Sequence, residues 1–220
     1  FRIELETSQG NVSLPSTGEI TIKGGIGVVL PFHIELGGIH LVSATAQLLT
    51  KLESEEEHTF VFYAHEGMTP ELVFRKSSLS SIDPGVGTVE ENGPNSIVRP
   101  AVGRRHVIRA RTADGHEVRI LVLTREEALQ SYKVSLWNKQ FLVISDSHLF
   151  VHNNRLVCNS SNSEVTLSLL HTETMDLRSD KGTLARKQDG VFDTFKLSLP
   201  SYEPNVTITK PSGRSALLKI

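Results

Sequence analysis

The sequence predicts an all-β protein, an antiparallel and jelly-roll-like sandwich of two packed β subdomains with one short helix. Apolar residues alternate with polar ones along most of the chain, as in Val165, Leu167 and Leu169. Turn-forming pairs separate these runs, and only one capping box signals a helix. We expect one subdomain at residues 1–133, and a smaller one, or the completion of the same sandwich, at residues 134–220.

The first thirty residues contain three alternating runs, at 2–6, 19–23 and 26–30, and each predicts a strand. The glycines of the GGIG stretch at 24–27 lack the spacing and the following helix of a phosphate-binding loop. A tight turn or a bulge before a strand explains them.

The next stretch predicts two hairpins. Gly37 and Gly38 supply the positive φ angles of a two-residue turn, and residues 44–52 are expected to pair with residues 59–64. In the last strand Phe60 and Phe62 fall on one face, and Val61 and Tyr63 on the other. Because both faces are apolar, the strand belongs inside its sheet, and we expect a separate domain to cover one of these faces.

Turn residues interrupt the chain after Phe74. Pro, Gly and Asn punctuate residues 75–100, which predicts a long loop or a short strand between turns.

A third hairpin is predicted where residues 105–111 and 116–123 flank Asp114-Gly115. Its arginines form a basic face: Arg104, Arg105, Arg109, Arg111 and Arg119. Interleaved aromatic residues and a basic domain would be needed for nucleic-acid binding, and the net charge is −2. A solvated outer face is the better interpretation, and no nucleic-acid partner is expected.

The sequence from Thr124 to Glu127 fits a capping box and predicts a helix that ends near Lys133. Ala128, Leu129 and Tyr132 are expected to face the protein. Further strands are predicted after it, at residues 140–145, 148–151, 155–159, 164–170, 190–199, 205–209 and 215–220.

Three quoted stretches carry a family resemblance. The runs LPFHIELGGIHLVSATAQLL, HTFVFYAHEGMTPELVF and LVLTREEALQSYKVSLWNKQFLVISDSHLFV resemble the all-β domain that follows the catalytic barrel in β-galactosidases of glycoside hydrolase family 35. The resemblance covers residues 26–151. It implies a parent enzyme that acts on terminal β-linked galactose by double displacement and needs no cofactor.

The acidic residues of the central stretch are Glu35, Glu66 and Glu71. A glycosidase needs two carboxyl groups at a defined separation, so these three would be inspected first. The resemblance implies instead that both catalytic glutamates come from the barrel, and no part of this chain matches barrel motifs. We therefore predict no catalytic residue and no hydrolysis by the isolated chain.

Metal and cysteine chemistry are not expected. The nine histidines include no HxH or HExxH pattern, and His148 and His152 lie in a predicted strand, where a spacing of four does not favour chelation. Calcium has no necessary local signature and stays open. Cys158 is the only cysteine, so no internal disulfide exists, and a small buried hydrophobic residue is its expected role.

Sugar contact remains possible through residues that stack on or bind hydroxyl-rich ligands. The candidates are Trp137, Tyr63, Tyr202 and Glu66. Trp137 follows the helix in a predicted turn, where it either covers the core as a lid or offers a sugar platform.

The predicted function is a noncatalytic accessory β domain that packs against and supports a catalytic barrel absent from this chain. The alternatives are a free-standing carbohydrate-binding module for galactose-containing sugars and a structural protein-interaction domain with an exposed apolar patch. No apolar run is long enough to span a membrane, so no membrane partner is expected. The resemblance to secreted glycosidases implies an extracellular or periplasmic location.

Overall fold

The computed structural model describes residues 1–8, 10–53, 57–170, 177–180 and 183–199, and two short strands at 207–209 and 217–219. The strands of the first half are β1 (Ile3–Thr7), β2 (Gly10–Leu14), β3 (Phe32–Leu36), β4 (Ile39–Ala44), β5 (Gln47–Glu53), β6 (Glu57–Tyr63), β7 (Leu72–Arg75), β8 (Leu79–Asp83), β9 (Gly87–Asn92), β10 (Asn95–Pro100), β11 (Val107–Thr112) and β12 (Glu117–Leu123). A 3-10 turn, Lys76–Ser78, lies between β7 and β8.

The helix α1 (Arg125–Leu129) separates this half from a second set of strands. These are β13 (Ser131–Leu136), β14 (Lys139–Ser145), β15 (His148–His152), β16 (Arg155–Asn159), β17 (Glu164–Leu170), β18 (Thr183–Asp189), β19 (Phe192–Ser198), β20 (Thr207–Thr209) and β21 (Leu217–Lys219). The predicted all-β fold class is therefore confirmed.

Three five-stranded sheets form the body of the protein. Sheet I has the order β3-β4-β7-β10-β9, sheet II the order β5-β6-β12-β11-β8, and sheet III the order β13-β14-β17-β19-β18. The pairs are antiparallel except for β6 and β12, which run parallel. The β1–β2 and β15–β16 hairpins are separate two-stranded sheets.

The sheets stack in layers, and each interface has its own apolar cluster. Sheets I and II enclose the largest cluster, which includes Phe62, Phe74 and Ile120. The other face of sheet II packs on sheet III through Val61, Leu121, Leu142, Ile144 and Phe192. The two hairpins cover the outer faces of sheets I and III. The stack buries every large apolar sheet face against another layer.

Strand β6 is buried on both faces, as its sequence pattern indicates. Phe60 and Phe62 point into the cluster between sheets I and II, whereas Val61 and Tyr63 point toward sheet III. Strand β6 also lies inside its sheet, between β5 and β12. The expectation that a separate domain covers one of its faces is wrong, because the chain's own sheet III covers it.

Two predicted strands near the N-terminus are absent from the described secondary structure. Residues 19–23 and 26–30 form no strand, and the strand that pairs with β1 is β2. The predicted strand at residues 44–52 is also divided, since Ala44 ends β4 in sheet I and Gln47 begins β5 in sheet II. Alternation alone did not reveal which runs have a partner strand.

Residues 75–100 were predicted to form a long loop or a short strand between turns, and the loop alternative is wrong. This segment contains β8, β9 and β10, with a turn at Gly93 between the last two strands. Strand β9 is an edge strand, exposed along most of its length, so it lacks the apolar alternation that marks a half-buried strand.

The two hairpins predicted from Gly37-Gly38 and Asp114-Gly115 are confirmed. The arginines near the second hairpin have acidic partners: Arg119 binds Glu57, Arg111 lies 3.8 Å from Glu117, and Arg105 binds Asp189. These ion pairs balance much of the basic face.

The helix is shorter than predicted, since it ends at Leu129 and β13 begins at Ser131. The strands predicted after it match β14 to β17 and β19 to β21, whereas β13 and β18 were missed. Sheets I and II use residues before the helix, and sheet III uses residues after it. The division into two domains near residue 133 stays a prediction. No helix in the described ranges has the length and apolar character to cross a membrane.

Candidate functional site

The capping box fixes helix α1 at the junction between sheets II and III. The hydroxyl oxygen of Thr124 accepts a hydrogen bond from the Glu127 amide at 3.1 Å, and a Glu127 carboxylate oxygen accepts one from the Thr124 amide at 3.0 Å. The Glu127 carboxylate also accepts from the Arg104 amide at 3.3 Å. The helix start is therefore held by both its own cap and the preceding loop.

Two cavities flank this helix, of about 660 and 480 Å³. Both are lined by Val102, Thr124, Glu126 and Gln130. The larger extends toward the end of β6 and the smaller toward the loop at residues 103–106. We call this surface, formed by the two cavities and the helix between them, the α1 groove.

Leu129 is the exposed apolar residue of the α1 groove. Its side chain is 72% exposed, and the helix buries no residue. The prediction that Leu129 faces the protein is therefore wrong. A helix of one and a half turns, whose neighbouring strands already pack on each other, has no apolar surface left to cover. Leu129 is instead available to a partner.

His65 lies in the wall of the larger cavity, beside two of the predicted sugar contacts. The histidine is 5% exposed, and its Nε2 lies 3.1 Å from Oε1 of Gln47. The ring of Tyr63 packs on it with the centroids 4.9 Å apart. Burial, followed by the positive charge of Arg125, lowers the pKa of His65, so that its ring is neutral at physiological pH.

Glu66 lies on the rim of the same cavity. It is exposed and forms an ion pair with Lys23, whose hydrogen bond and positive charge lower the pKa of the carboxyl group. Tyr63 itself is half-buried and belongs to the cluster between sheets II and III. Two of the predicted sugar contacts, Tyr63 and Glu66, thus lie near the larger cavity, with His65 between them in sequence.

Trp137 lies elsewhere. It occupies the turn between β13 and β14, and the six residues of β13 separate this turn from α1 by about 20 Å. The indole is 50% exposed, so its interpretation as a lid over the core is wrong. Its backbone amide donates to Oδ1 of Asn154 at 2.9 Å. Tyr202 lies outside the described residues.

The three carboxylates singled out in the central stretch each contact a different basic residue. Glu35 lies 2.7 Å from Nδ1 of His40, Glu66 binds Lys23, and Glu71 lies 2.9 Å from Arg99. Glu71 is buried and also accepts from the Ser16 amide at 2.6 Å. The three carboxylates therefore lie at separate places in the fold, each with its own partner.

Metal ligation and thiol chemistry find little support in the structure. Within the described ranges, no three histidine, cysteine or acidic side chains come together as a metal site. Cys158 on β16 packs against the outer cluster of sheet III, and burial raises the pKa of its thiol. A raised pKa lowers the fraction of the reactive thiolate, which fits the expected packing role.

Sequence reasoning missed the two residues that define the α1 groove most clearly. His65 was one of several isolated histidines, and only its burial in a cavity wall distinguishes it. Val102 lines both cavities and precedes Gly103, whose φ of +116° bends the chain toward the helix. The sequence signal that could have indicated this bend is the glycine between an apolar residue and two arginines.

Comparison with known proteins identifies a family for much of the chain. No curated protein matches the chain. A family model described as β-galactosidase, domain 2, matches residues 1–131, which is more than half of the 220 residues. The matched range contains sheets I and II and the whole of α1, whereas Trp137 lies beyond it. The chain therefore belongs to the β-galactosidase domain 2 family and carries an accessory domain of a β-galactosidase-like enzyme.

Proposed function

We propose that this chain is a noncatalytic β domain that packs against the catalytic barrel of its β-galactosidase-like enzyme through the α1 groove and supports that barrel. The observation that carries the proposal is the exposure of Leu129 in the lining of the larger cavity, within the part of the chain that matches the family. A single exposed leucine is ordinary, but one that lines a concave surface suits an interface.

The composition of the α1 groove supports a protein partner. Ala64, Met68 and Leu129 provide an apolar strip, and Glu66, Arg125 and Glu126 surround it with both signs of charge. An apolar centre with a polar rim is the usual composition of a protein interface. Catalysis by this chain has less support, because its inspected carboxylates contact basic side chains at separate places.

The test is a binding titration between this chain and the catalytic barrel of the enzyme that carries it, expressed as a separate polypeptide. Leu129→Lys places a charge in the apolar strip, and we expect it to weaken binding by tenfold or more, or about 1.4 kcal/mol. Phe150→Lys is the matched control, since Phe150 is an exposed apolar residue on β15. Unchanged affinity for Leu129→Lys would remove the α1 groove from the interface.

Carbohydrate binding is the second candidate, and the conformation of Trp137 favours it. Trp137 and Asn138 have φ angles of 52° and 61°, as in a turn that normally takes Asn and Gly. A bulky residue in the left-handed region costs about 1 kcal/mol and is often retained for function. The indole is 50% exposed, and the backbone amide of the same residue donates to Oδ1 of Asn154. An exposed aromatic ring suits the apolar face of a sugar.

Calorimetry separates the two candidates. The chain is titrated with galactose, lactose and a longer β-galactan, and hydrolysis of a chromogenic β-galactoside is followed in parallel. Binding that disappears in Trp137→Ala would support a sugar platform. Absence of both binding and turnover would favour the barrel-supporting role, and turnover that survives repurification would contradict the noncatalytic proposal.

A further inference from the structure

The hairpin of β15 and β16 carries an asparagine that fits the acceptor motif of N-linked glycans. Asn159, Ser160 and Ser161 form an N-x-S sequon, in which the middle residue is not proline. Asn159 is exposed and is the last residue of β16. The chain turns directly after it, since the Asn162 amide donates to the Ser160 hydroxyl oxygen at 3.0 Å. The sequon therefore lies at a surface turn, where a modifying enzyme can reach it.

The strand register decides which side chains share the outer face of this hairpin. Leu149 and Cys158 are cross-strand partners, and both pack inward on the outer cluster of sheet III. Because side chains alternate along a strand, the neighbouring pairs point outward. These outward pairs are His148–Asn159, Phe150–Val157 and His152–Arg155. Asn159 and Phe150 therefore lie on one face, diagonal to each other.

Phe150 is the exposed aromatic residue of this outer face. Its side chain is 50% exposed, and Val157, directly opposite, is half-buried. Diagonal neighbours in an antiparallel pair lie about 7–8 Å apart, within reach of aromatic and long side chains. A sugar attached to Asn159 can thus lie over the Phe150 ring.

The first sugar of an N-linked glycan suits the surface that Phe150 offers. Several C–H bonds of a β-linked pyranose point to one face of the ring, and their hydrogens carry a slight positive charge. The face of an aromatic ring carries negative charge, so the two surfaces attract each other. Stacking also removes apolar surface of both rings from water.

We propose that Asn159 carries an N-linked glycan and that its first sugar stacks on Phe150. In the transfer, Nδ2 of Asn159 displaces a polyprenyl diphosphate from the anomeric carbon of a lipid-linked oligosaccharide, which the secretory pathway supplies. The N–C bond forms as the C–O bond breaks, and the diphosphate leaves with the electron pair. The amide nitrogen loses one hydrogen as a proton. Ser161 supplies the hydroxyl group that the motif requires.

A second sequon provides an internal comparison. It begins at Asn11 on β2, which is also exposed. The β1 side chains on the same face are Glu4 and Glu6, and Glu6 is the direct partner of Asn11. A sugar on Asn11 would therefore meet carboxylates rather than an aromatic ring. The third sequon, at Asn205, lies outside the described residues.

The proposed glycan is independent of the α1 groove. The hairpin covers the face of sheet III that points away from sheet II, whereas the groove lies where these two sheets meet. The glycan is also separate from the Trp137 turn. Asn154, which accepts from the Trp137 amide, precedes β16, and the strand places Asn159 about 16 Å from it.

Secretion of the intact chain from a eukaryotic host tests the modification. Occupancy at Asn159 is measured by peptide mass spectrometry after release of the glycan by peptide N-glycosidase in heavy-oxygen water, which marks each occupied asparagine as a labelled aspartate. We expect the wild type to be occupied, Ser161→Ala to lose the glycan and Ser161→Thr to keep it. Ser160→Ala is the matched control, because it changes the neighbouring serine and leaves the motif intact. An unmodified Asn159 in the secreted wild type would overturn the proposal.

Nuclear magnetic resonance of the glycosylated chain, trimmed to the first sugar, tests the stacking. The ring current of Phe150 should shift the sugar protons on Asn159 upfield from their positions in the free sugar. Phe150→Leu keeps apolar bulk but removes the ring, so this shift should vanish while Asn159 stays occupied. Phe1→Leu changes another exposed phenylalanine and should preserve the shift. Unshifted sugar protons in the wild type, or a shift that survives Phe150→Leu, would contradict the stacking.

Discussion

The guanidinium group of Arg104 donates a 2.8 Å hydrogen bond to the hydroxyl oxygen of Ser168, which is fully buried in the middle of sheet III. The Ser168 hydroxyl is also 3.0 Å from that of Thr194 on the neighbouring strand. Arg104 belongs to the loop before β11 in sheet II. This contact therefore connects the two halves of the chain through a charge-assisted, partly buried hydrogen bond.

Arg104→Ala should lower the free energy of unfolding by about 2 kcal/mol, because it removes a charged donor from a buried acceptor. Urea denaturation measures the change. Arg109→Ala is the control, since Arg109 is exposed on β11 of the same sheet, and its effect should be below about 0.5 kcal/mol. Equal effects from the two substitutions would contradict the structural role of Arg104.

Glu71→Gln should destabilise the protein by on the order of 3 kcal/mol. The Glu71 carboxylate is 4% exposed and accepts from Arg99 and from the Ser16 amide, whereas glutamine would turn an NH₂ group toward one of these donors. Glu90→Gln removes a carboxylate from the same guanidinium but at a site that is 54% exposed, so its cost should stay below about 1 kcal/mol. Thermal unfolding of the two variants measures both losses of stability. Similar losses would contradict the buried structural role of Glu71.

Phe62→Ala should cost about 3–5 kcal/mol, because it opens a cavity in the cluster between sheets I and II. Phe150→Ala removes the same side chain from an exposed strand and should change stability by less than about 0.5 kcal/mol. Chemical denaturation distinguishes them. A small effect for Phe62→Ala would mean that the interface between sheets I and II is loosely packed.

Trp137→Asn should leave stability unchanged or raise it by about 0.5 kcal/mol, because asparagine adopts the left-handed φ angle at this turn more easily than tryptophan does. The melting temperature gives the sign of the change. A loss of more than about 1 kcal/mol would show that the indole covers part of the core. If sugar binding is observed, the same variant should lose it.

The parts of the fold that sequence patterns predicted are those in which local chemistry decides the structure. Gly37-Gly38 and Asp114-Gly115 define their hairpins because two-residue turns need positive φ angles. The two apolar faces of β6 follow directly from the order of Phe60, Val61 and Phe62. The parallel pairing of β6 with β12 joins residues about sixty positions apart and has no local signal.

The strands that the sequence analysis missed also lack a local signal. Strands β9 and β18 lie at sheet edges and carry mostly polar residues, so alternation does not mark them. The run at residues 26–30 alternates but finds no strand to pair with. In the candidate site, Glu66 and Tyr63 were selected from sequence, but the importance of His65 and the exposure of Leu129 depend on how sheets II and III meet the helix.

A hydrogen-exchange footprint tests the proposed barrel contact most directly. Exchange of this chain is measured alone and in the presence of the catalytic barrel of its own enzyme, supplied as a separate polypeptide. We predict that protection increases at residues 64–68, 102–106 and 124–130, which form the α1 groove, and stays unchanged at β15 and β16. A footprint confined to the surface around Trp137, or no footprint at saturating barrel, would contradict the α1 groove as the surface through which this domain supports the enzyme.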